Sequence, residues 1–432
     1  MKLRPRCKHF WLIWDMHRLA FCPLAMFADV TMGQSPGTDL CNTDGRGLPF
    51  LQGCAEFGAD HPESSVSCFP ALRIARAGSV LISVRAPVGT MNYADQDYCI
   101  GRGLGAFKAK PGQSNTIFLK HAVDHNAGYL HRRSQGSTFA AVSTDDVRTV
   151  PIPAFSVEIQ DKLAAVFVGI DTAIEKTEAL IAKYQQIKAG LMHDLFTRGV
   201  LANGQLRPHR EQAPELYQET AIGWIPKDWK IVPLTQISDV SRGKFTHRPR
   251  NDPAFFGGTH PFVQTGDVAA SDGGVMYQHS QTLSERGTTV SQCFPEGTIA
   301  VTIAANIADT GILGISMFFP DSVVGVVVEN SANNRFVEMC IRRAKPRLEA
   351  LAPQSAQKNI NLQDLRPLLI PLPQRIEQDL VADRYLWIQR KIDIEAATKA
   401  KFGLQKLGLM QDLLTGKVPV KASEPTTESA VA

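Results

Sequence analysis

The chain repeats itself at a fixed offset. Residues 137–200 lie on residues 355–418 without a gap, because each matching residue recurs 218 positions later. Asp146, Arg148, Ile152 and Pro153 return as Asp364, Arg366, Ile370 and Pro371, and Gln160-Asp161 returns as Gln378-Asp379. The run from Gly190 to Thr197 comes back from Gly408 to Thr415 with only His193 and Phe196 replaced, by Gln411 and Leu414. A period of this length exceeds solenoid units, which run to about 50 residues. It is a duplicated module of domain plus helix, and such a chain does one kind of thing twice, in two places.

At 432 residues there is room for two or three domains, and 44% hydrophobic against 20% charged residues place the chain among soluble globular proteins rather than disordered ones. A formal net charge of +4 permits a nucleic-acid partner without arguing for one. Cys7, Cys22, Cys41, Cys54, Cys68 and Cys99 crowd the first part of the chain, yet no two form Cys-x-x-Cys and no histidines stand at zinc-site spacing. Free thiols and no metal are expected. Lys2 to Arg6 followed by Phe10 to Trp14 imitates a secretory signal, but Asp15, His17 and Arg18 interrupt the apolar run before it reaches the length that a signal or a membrane span needs. The expectation is a cytoplasmic protein.

Each half opens on a Gly-rich, strand-rich region. Ser79 to Val84 after Ala77-Gly78 reads as a strand leaving a turn, and Thr298 to Ile303 after Glu296-Gly297 reads the same way. Pro23-Leu24, Asp29-Val30 and Gly33 echo as Pro233-Leu234, Asp239-Val240 and Gly243, while Pro49 to Gln52 resembles Pro261 to Gln264. The offset drifts between 210 and 219, so a shared scaffold with diverged loops is expected.

Each half closes on a long helix. From Leu163, the positions Phe167, Ile170, Ile174, Ile181, Tyr184, Leu191 and Leu195 advance by alternating fours and threes, with Thr177 and Lys188 as polar interruptions. The second copy keeps phase through Val381, Tyr385, Ile388, Ile392, Phe402, Leu409 and Leu413 but carries Glu395, Lys399 and Lys406 on the stripe. A heptad seam needs a partner helix. The two helices are expected to pack on each other and leave flanks for other chains; two unrelated surface helices are the alternative.

No constellation carries catalysis. Gly101-Arg102-Gly103-Leu104-Gly105 lacks the dinucleotide spacing, and Gly243-Lys244 has no phosphate-cradling loop before it, so both read as turns. Asp145-Asp146 reads as a helix cap or ion pair, since Asp146 recurs at Asp364. Pro320-Asp321 starts a nuclease-like pattern, but no Glu-x-Lys follows.

The helix ends Gly190 to Leu195 and Gly408 to Leu413, each preceded by a proline-rich strand, together with Glu219 to Trp229, Gly33 to Pro36 and Ile82 to Gly89, resemble specificity subunits of type I restriction–modification systems. The resemblance covers nearly the whole chain except the region before Phe21. It implies an α+β architecture with a pseudo-twofold internal repeat: two globular α/β-type target recognition domains separated by two long antiparallel coiled-coil helices. The first domain would span 1–154 and its helix 155–200; residues 201–221, with Asn203-Gly204, Pro208 and Pro214 among charged residues and no apolar period, read by themselves as a linker. The second domain would span 222–372 and its helix 373–420, with a disordered tail at 421–432. It also implies a non-catalytic reader of double-stranded DNA that recognises a bipartite, asymmetric site for adenine methylation and cleavage. The helices would act as spacer and as dock for two methyltransferase subunits. S-adenosylmethionine would belong to the methyltransferase partner, and ATP and Mg to a restriction subunit that translocates and cleaves DNA.

Base readout needs Arg, Lys, Asn or Gln on loops, and phosphate contacts need basic or small polar groups. Gln34, Ser35, Gln52, Arg85 and Arg102 meet these needs in the first half. Arg242, Lys244, Arg248, Arg250, Gln264 and Asn306 meet them in the second. Arg85 reads equally as a buried structural arginine beside Pro87. Leu191, Met192, Leu195, Leu409, Met410 and Leu413 are the candidate partner contacts. Two other readings compete: a stand-alone DNA methyltransferase or nuclease, which would need a catalytic motif, and a coiled-coil scaffold, which leaves two globular halves unexplained.

Overall fold

The computed structural model describes residues 19–59, 61–134, 141–247, 249–304, 306–351 and 359–421. The signal-like start up to Arg18, the candidate Arg248 and the tail after Lys421 lie outside the described residues. The chain forms two compact units, 1–180 with 395–432, and 181–394. The long helices Val157–Thr197 and Arg375–Leu414 are each shared between the units. Each unit therefore holds one globular region, the first part of that region's own helix and the last part of the other helix.

In the first unit, strand Ala28–Met32 pairs with Leu104–Ala109, which pairs with Val80–Ser83, which pairs with Met91–Tyr93, all antiparallel. A second sheet sets Leu48–Leu51 parallel to Tyr98–Ile100. The second unit repeats this order: Ser238–Arg242, Val323–Val328, Ile299–Thr302 and Thr310–Leu313 form one antiparallel run, and Phe256–Phe262 lies parallel to Met317–Phe319. The faint echoes in the sequence are thus one duplicated scaffold. Its central strands are buried throughout and apolar but for a closing Ser83 or Thr302, as expected of strands covered on both faces.

The repeated prolines have a common place. Phe21–Pro23 pairs with Pro151–Pro153, and Lys230–Pro233 with Leu369–Leu372, so the strand that opens each globular region is zipped to the one that leaves it for the helix. Proline is tolerated because each pair is an isolated two-stranded ribbon with free edges.

The repeated Gln-Asp pair then fixes the helix start. Buried Gln160 accepts from the Asn115 backbone N–H at 3.0 Å and donates to the Phe155 carbonyl at 2.9 Å, while Asp161 accepts from Asn115 Nδ2 at 2.8 Å. Gln378 accepts from the Asn333 N–H at 2.8 Å and donates to the Pro373 carbonyl at 3.0 Å, and Asp379 accepts from Asn333 Nδ2 at 2.6 Å. Both asparagines are N-caps, of helices Thr116–His125 and Asn334–Arg343.

The seam is real and runs antiparallel within each unit. In the first, Lys406 Nζ is 2.7 Å from Asp171 and Lys399 Nζ is 2.6 Å from Glu178, so a step of one heptad up one helix meets a step of one heptad down the other. In the second, Lys188 donates to Gln389 and stands 5.0 Å from the Tyr385 ring centre. Thr177 turns its hydroxyl back to the Ala173 carbonyl at 2.8 Å. Thr177, Lys188, Lys399 and Lys406, four of the five polar interruptions of the stripe, are therefore paired.

The connection after Thr197, expected as a plain linker, is pinned. Arg207 is buried, pairing with Glu377 at 2.5 Å and Asp228 at 2.7 Å, and its backbone carbonyl accepts from Arg198. Glu377 also accepts from the Val200 N–H at 2.8 Å. A segment without apolar period is here held by one buried ion pair, which sequence periodicity does not report.

Beneath the first unit's seam, His121 is buried, with Asp171 3.6 Å from its Nε2 and no hydrogen-bond partner for Nδ1 among the described residues. Burial, and then Lys120, hold its imidazole down at about 4; Asp171, already paired with Lys406, does not offset them. The unfolded chain takes up this proton near the ordinary 6.5, so between these values it binds more protons than the folded chain. Stability should fall as pH drops through that window and be untouched above it. The repeat places Met339 at the equivalent buried position. His121→Met is expected to remove the acid loss, its gain over the parent growing as pH is lowered from neutrality towards 4 and vanishing above 7, as read by denaturant unfolding across pH.

Candidate nucleic-acid interface

Three turns meet at one place in each unit. In the first, the Gly33 N–H donates to the Leu104 carbonyl at 2.9 Å, Gln34 N–H to Ile100 at 2.9 Å, and Gly101 N–H to Leu51 at 2.8 Å. In the second, Gly243 donates to Val323 at 2.9 Å, Lys244 to Phe319 at 3.1 Å, and Val263 to Phe318 at 3.0 Å. The bonds of Gly33 and Gln34 match those of Gly243 and Lys244, while the third differs because Pro320, which stands where Gly101 donates, has no N–H. Glycine is required at the crossing, since a Cβ on Gly33 would lie 2.0 Å from the Gly101 carbonyl oxygen and one on Gly243 2.2 Å from that of Pro320.

On the first frame, three expected side chains come together. Gln52 Nε2 lies 3.3 Å from Ser35 Oγ, which also accepts from the Arg102 N–H at 3.2 Å and from its Nε at 3.4 Å. Gln52 and Arg102 are exposed. Gln34 and Arg85 flank them: Gln34 by the bond just given, and Arg85 because neighbouring Val84 donates to the Gly103 carbonyl at 2.9 Å. Arg85 is exposed, which removes the buried structural alternative; its backbone bridges to Ala141.

The second frame carries different chemistry. The position of Arg102 is taken by Asp321, whose carboxylate pairs with Arg250 and whose carbonyl accepts from Arg242 Nε. Lys244 is exposed beside them. Phe245 anchors the basic stretch among Phe255, Phe256 and Phe262, with ring centres 5.4–6.3 Å away. Gln264 opens the helix Thr265–Ser271 and donates to Gln281 at 3.0 Å. Asn306 is exposed in the loop equivalent to that of Arg85, its carbonyl held by Thr302. Asp321 was missed because Pro320-Asp321 was weighed only as a nuclease motif; the offset that carries Phe107 to Val326 would have laid it on Arg102.

Asp146 and Asp364 are caps, each completing a capping box with Ser143 or Asn361 at the start of a short helix. Leu195 and Met410 are buried in their own units' cores, with Leu191 and Met192 half-buried against the first of these and Leu409 and Leu413 against the second. The helices expose other apolar residues instead, among them Ile187, Trp387, Ile394, Leu404 and Leu407. Among the described residues no three His, Cys, Asp or Glu side chains are grouped to hold a metal ion, and no helix is long and apolar enough to cross a membrane. The described cysteines are free, and burial pushes the Cys68 thiol up to about 12.

The sequence profile of the type I restriction modification DNA specificity domain matches residues 70–186 and again 226–401. The chain belongs to that family. The MjaVIII type I restriction enzyme specificity subunit of Methanocaldococcus jannaschii is 24% identical over 339 residues, 74% of this chain and 75% of that one. A second protein of that organism, described as the MjaX specificity subunit, is 33% identical over 168 residues, which are 39% of this chain and only 40% of that relative. The crystal structure of a type I restriction-modification S subunit from M. genitalium has the same fold, with a TM-score of 0.58 at 13% identity over 93% of this chain and 98% of that one.

The specificity-domain scaffold thus depends on a backbone crossing that only glycine permits. Gly243→Ala is expected to push the 320–322 turn away and cost roughly 1–3 kcal/mol, as overpacking does. Gly169→Ala, in the long helix with nothing within 4 Å of the added carbon, should stabilise by about 1 kcal/mol. Thermal unfolding of both variants checks this; equal shifts would contradict it.

Proposed function

We propose that this specificity subunit reads a bipartite, asymmetric site in double-stranded DNA, one half with each three-turn cluster. In this reading it directs partner subunits for adenine methylation and cleavage. The observation that carries the proposal is the pairing of one frame with two chemistries. Backbone hydrogen bonds hold the turns, so the side chains at their tips are free to differ, and two different half-sites require that difference. Arg102 offers a guanidinium fork able to take guanine O6 and N7, with Gln52 suited to adenine and Ser35 to either. In the second cluster Lys244, Arg242 and Arg250 offer phosphate or guanine contacts, and Asp321 can accept from cytosine N4.

The chain acts as reader and not as catalyst in this proposal. S-adenosylmethionine is bound by two methyltransferase subunits, and ATP with Mg by the restriction subunits. The paired helices serve as spacer between the half-sites and as dock. Membership of a DNA specificity family supports the substrate class, and the cationic, amide-bearing turn tips support contact with nucleic acid.

Mapping of methylated adenines in DNA from cells carrying this chain and its methyltransferase tests the reading. Arg102→Ala should relax one half of the site only, with a loss of about 1–3 kcal/mol if the contact is to a base. Arg250→Ala should act on the other half only. If either contact is to phosphate, binding should weaken for all sequences and the salt slope fall by about 1. A change in both halves from one substitution, or methyl transfer by the chain alone, would sink the proposal.

A further inference from the structure

The second unit contains a cationic cleft to which none of the three turns contributes. A cavity of about 400 Å³ is lined by Lys188, Met192, His193, Arg342, Arg343 and Tyr385. These come from the end of the first long helix, the helix Asn334–Arg343 and the start of the second long helix. Arg343 also lines a second cavity of about 160 Å³, together with Arg347, Phe196, Leu368, Leu369 and Pro371.

The charge here is not balanced. Glu338 is buried behind the cleft, where it pairs with Arg335 at 3.0 Å and Arg342 at 3.1 Å and accepts from Thr310 at 2.7 Å. Arg342 spends a further N–H on the Tyr385 hydroxyl at 2.7 Å. Among the described residues Lys188 meets neutral Gln389 and the Tyr385 ring and no carboxylate is paired to it. Arg343 lies over the Phe196 ring with no carboxylate paired to it among the described residues, and burial pulls its guanidinium below the ordinary value. Arg342 is thus countered by Glu338, which it shares with Arg335, and by Asp272 at 4.0 Å, and it is Lys188 and Arg343, between apolar walls and with no carboxylate paired to them among the described residues, that form a place where an entering carboxylate gains most.

The internal repeat supplies the control. Counting back or forward by the same offset, Lys188 corresponds to Lys406, Met192 to Met410 and Tyr385 to Phe167, so the apolar part and the lysine are kept. Arg342 corresponds to Asp124, Arg343 to His125 and His193 to Gln411. Lys406 is moreover neutralised by Asp171, which stands where Gln389 stands in the other copy. The same location is cationic in one unit and balanced in the other.

We propose that the cleft lined by Lys188, His193, Arg342 and Arg343 docks an acidic, partly apolar segment of the methyltransferase partner, and that the two partner copies are consequently held unequally. This rests on the reading above that two copies of one methyltransferase bind the chain. Each copy presents the same segment, and only the second unit has the charge to meet it. A nucleic-acid backbone fits less well, because phosphates offer nothing to Met192, Phe196, Leu368 and Pro371.

The full chain titrated with its methyltransferase, with complexes counted by native mass spectrometry at low and high salt, decides the matter. Two steps are expected, the tighter weakening with salt and the weaker much less so. His193→Glu, at an exposed position, and Arg343→Gln, which keeps a donor for the Phe196 carbonyl, should each weaken the tighter step at least tenfold without changing DNA binding. Asp124→Arg in the first unit should strengthen the weaker step and make it salt-sensitive. Two equal, salt-insensitive steps, or His193→Glu binding both copies as the parent does, would overturn the proposal alone. Loss of DNA binding with partner binding intact would reassign the cleft to phosphate and overturn it. Failure of the parent chain to bind any methyltransferase would overturn the partner reading and this proposal with it.

Discussion

A buried amide at the start of each long helix is the interaction on which the architecture depends. Gln160 and Gln378 are almost wholly enclosed, so each of their polar atoms must be met inside the protein. They are met by a backbone N–H at the cap of the domain's own helix and by the carbonyl just before the long helix. The neighbouring aspartate takes the cap asparagine's amide, and that asparagine's oxygen caps the first turn of its helix. One network thus settles two helix ends together, and partial formation would leave desolvated groups unpaired. Helix direction and domain are therefore set as one decision, made twice.

Once the helices leave their domains, charge sets their register. A slip of one heptad in the first unit would bring Lys406 to Glu178 but leave Lys399 opposite Gln185 and set Leu413 against Asp171, losing one of the two ion pairs and desolvating a carboxylate. An all-apolar seam would not distinguish the two registers nearly so well. The lysines that make the second helix's stripe look weaker in the sequence are what specify its partner position. Stability is given up for a unique alignment.

The parts legible in the sequence were those written in periodicity and in the repeat. The long helices, the strands at 79–84 and 298–303, and the caps at Asp146 and Asp364 all follow from patterns that local chemistry enforces, whereas Ser35, Gln52 and Arg102 were named one by one and nothing in the sequence says that they meet. Arg207 was not legible, because a lone arginine among charged residues carries no sign that it will be buried on Glu377. The inward use of Leu195 and Met410 was hidden for a related reason: a heptad pattern says that a face is covered without saying by what. Asp321 was hidden because an acid stands where the other half carries Arg102, so a search for basic and amide side chains passes over it.

That divergence has a physical cause in how the turns are held. Backbone-to-backbone bonds cross between them in either unit, at Gly33, Gln34 and Gly101 or at Gly243, Lys244 and Val263, and the tip side chains add their own, Ser35 to the Arg102 N–H and Arg242 to the Asp321 carbonyl. Substituting a tip side chain therefore costs the frame little, while substituting a crossing glycine brings atoms into overlap. The first unit has used this freedom to place one arginine over a hydroxyl and an amide. The second has replaced that arginine by an acid and drawn two other arginines to it, from a strand end and from a loop anchored by phenylalanines. A guanidinium held by a carboxylate loses fewer rotamers when it meets its target, and the acid adds an acceptor to a surface otherwise made of donors. Two copies of one fold can in this way carry unlike recognition surfaces, with the change confined to atoms that do not hold the fold together.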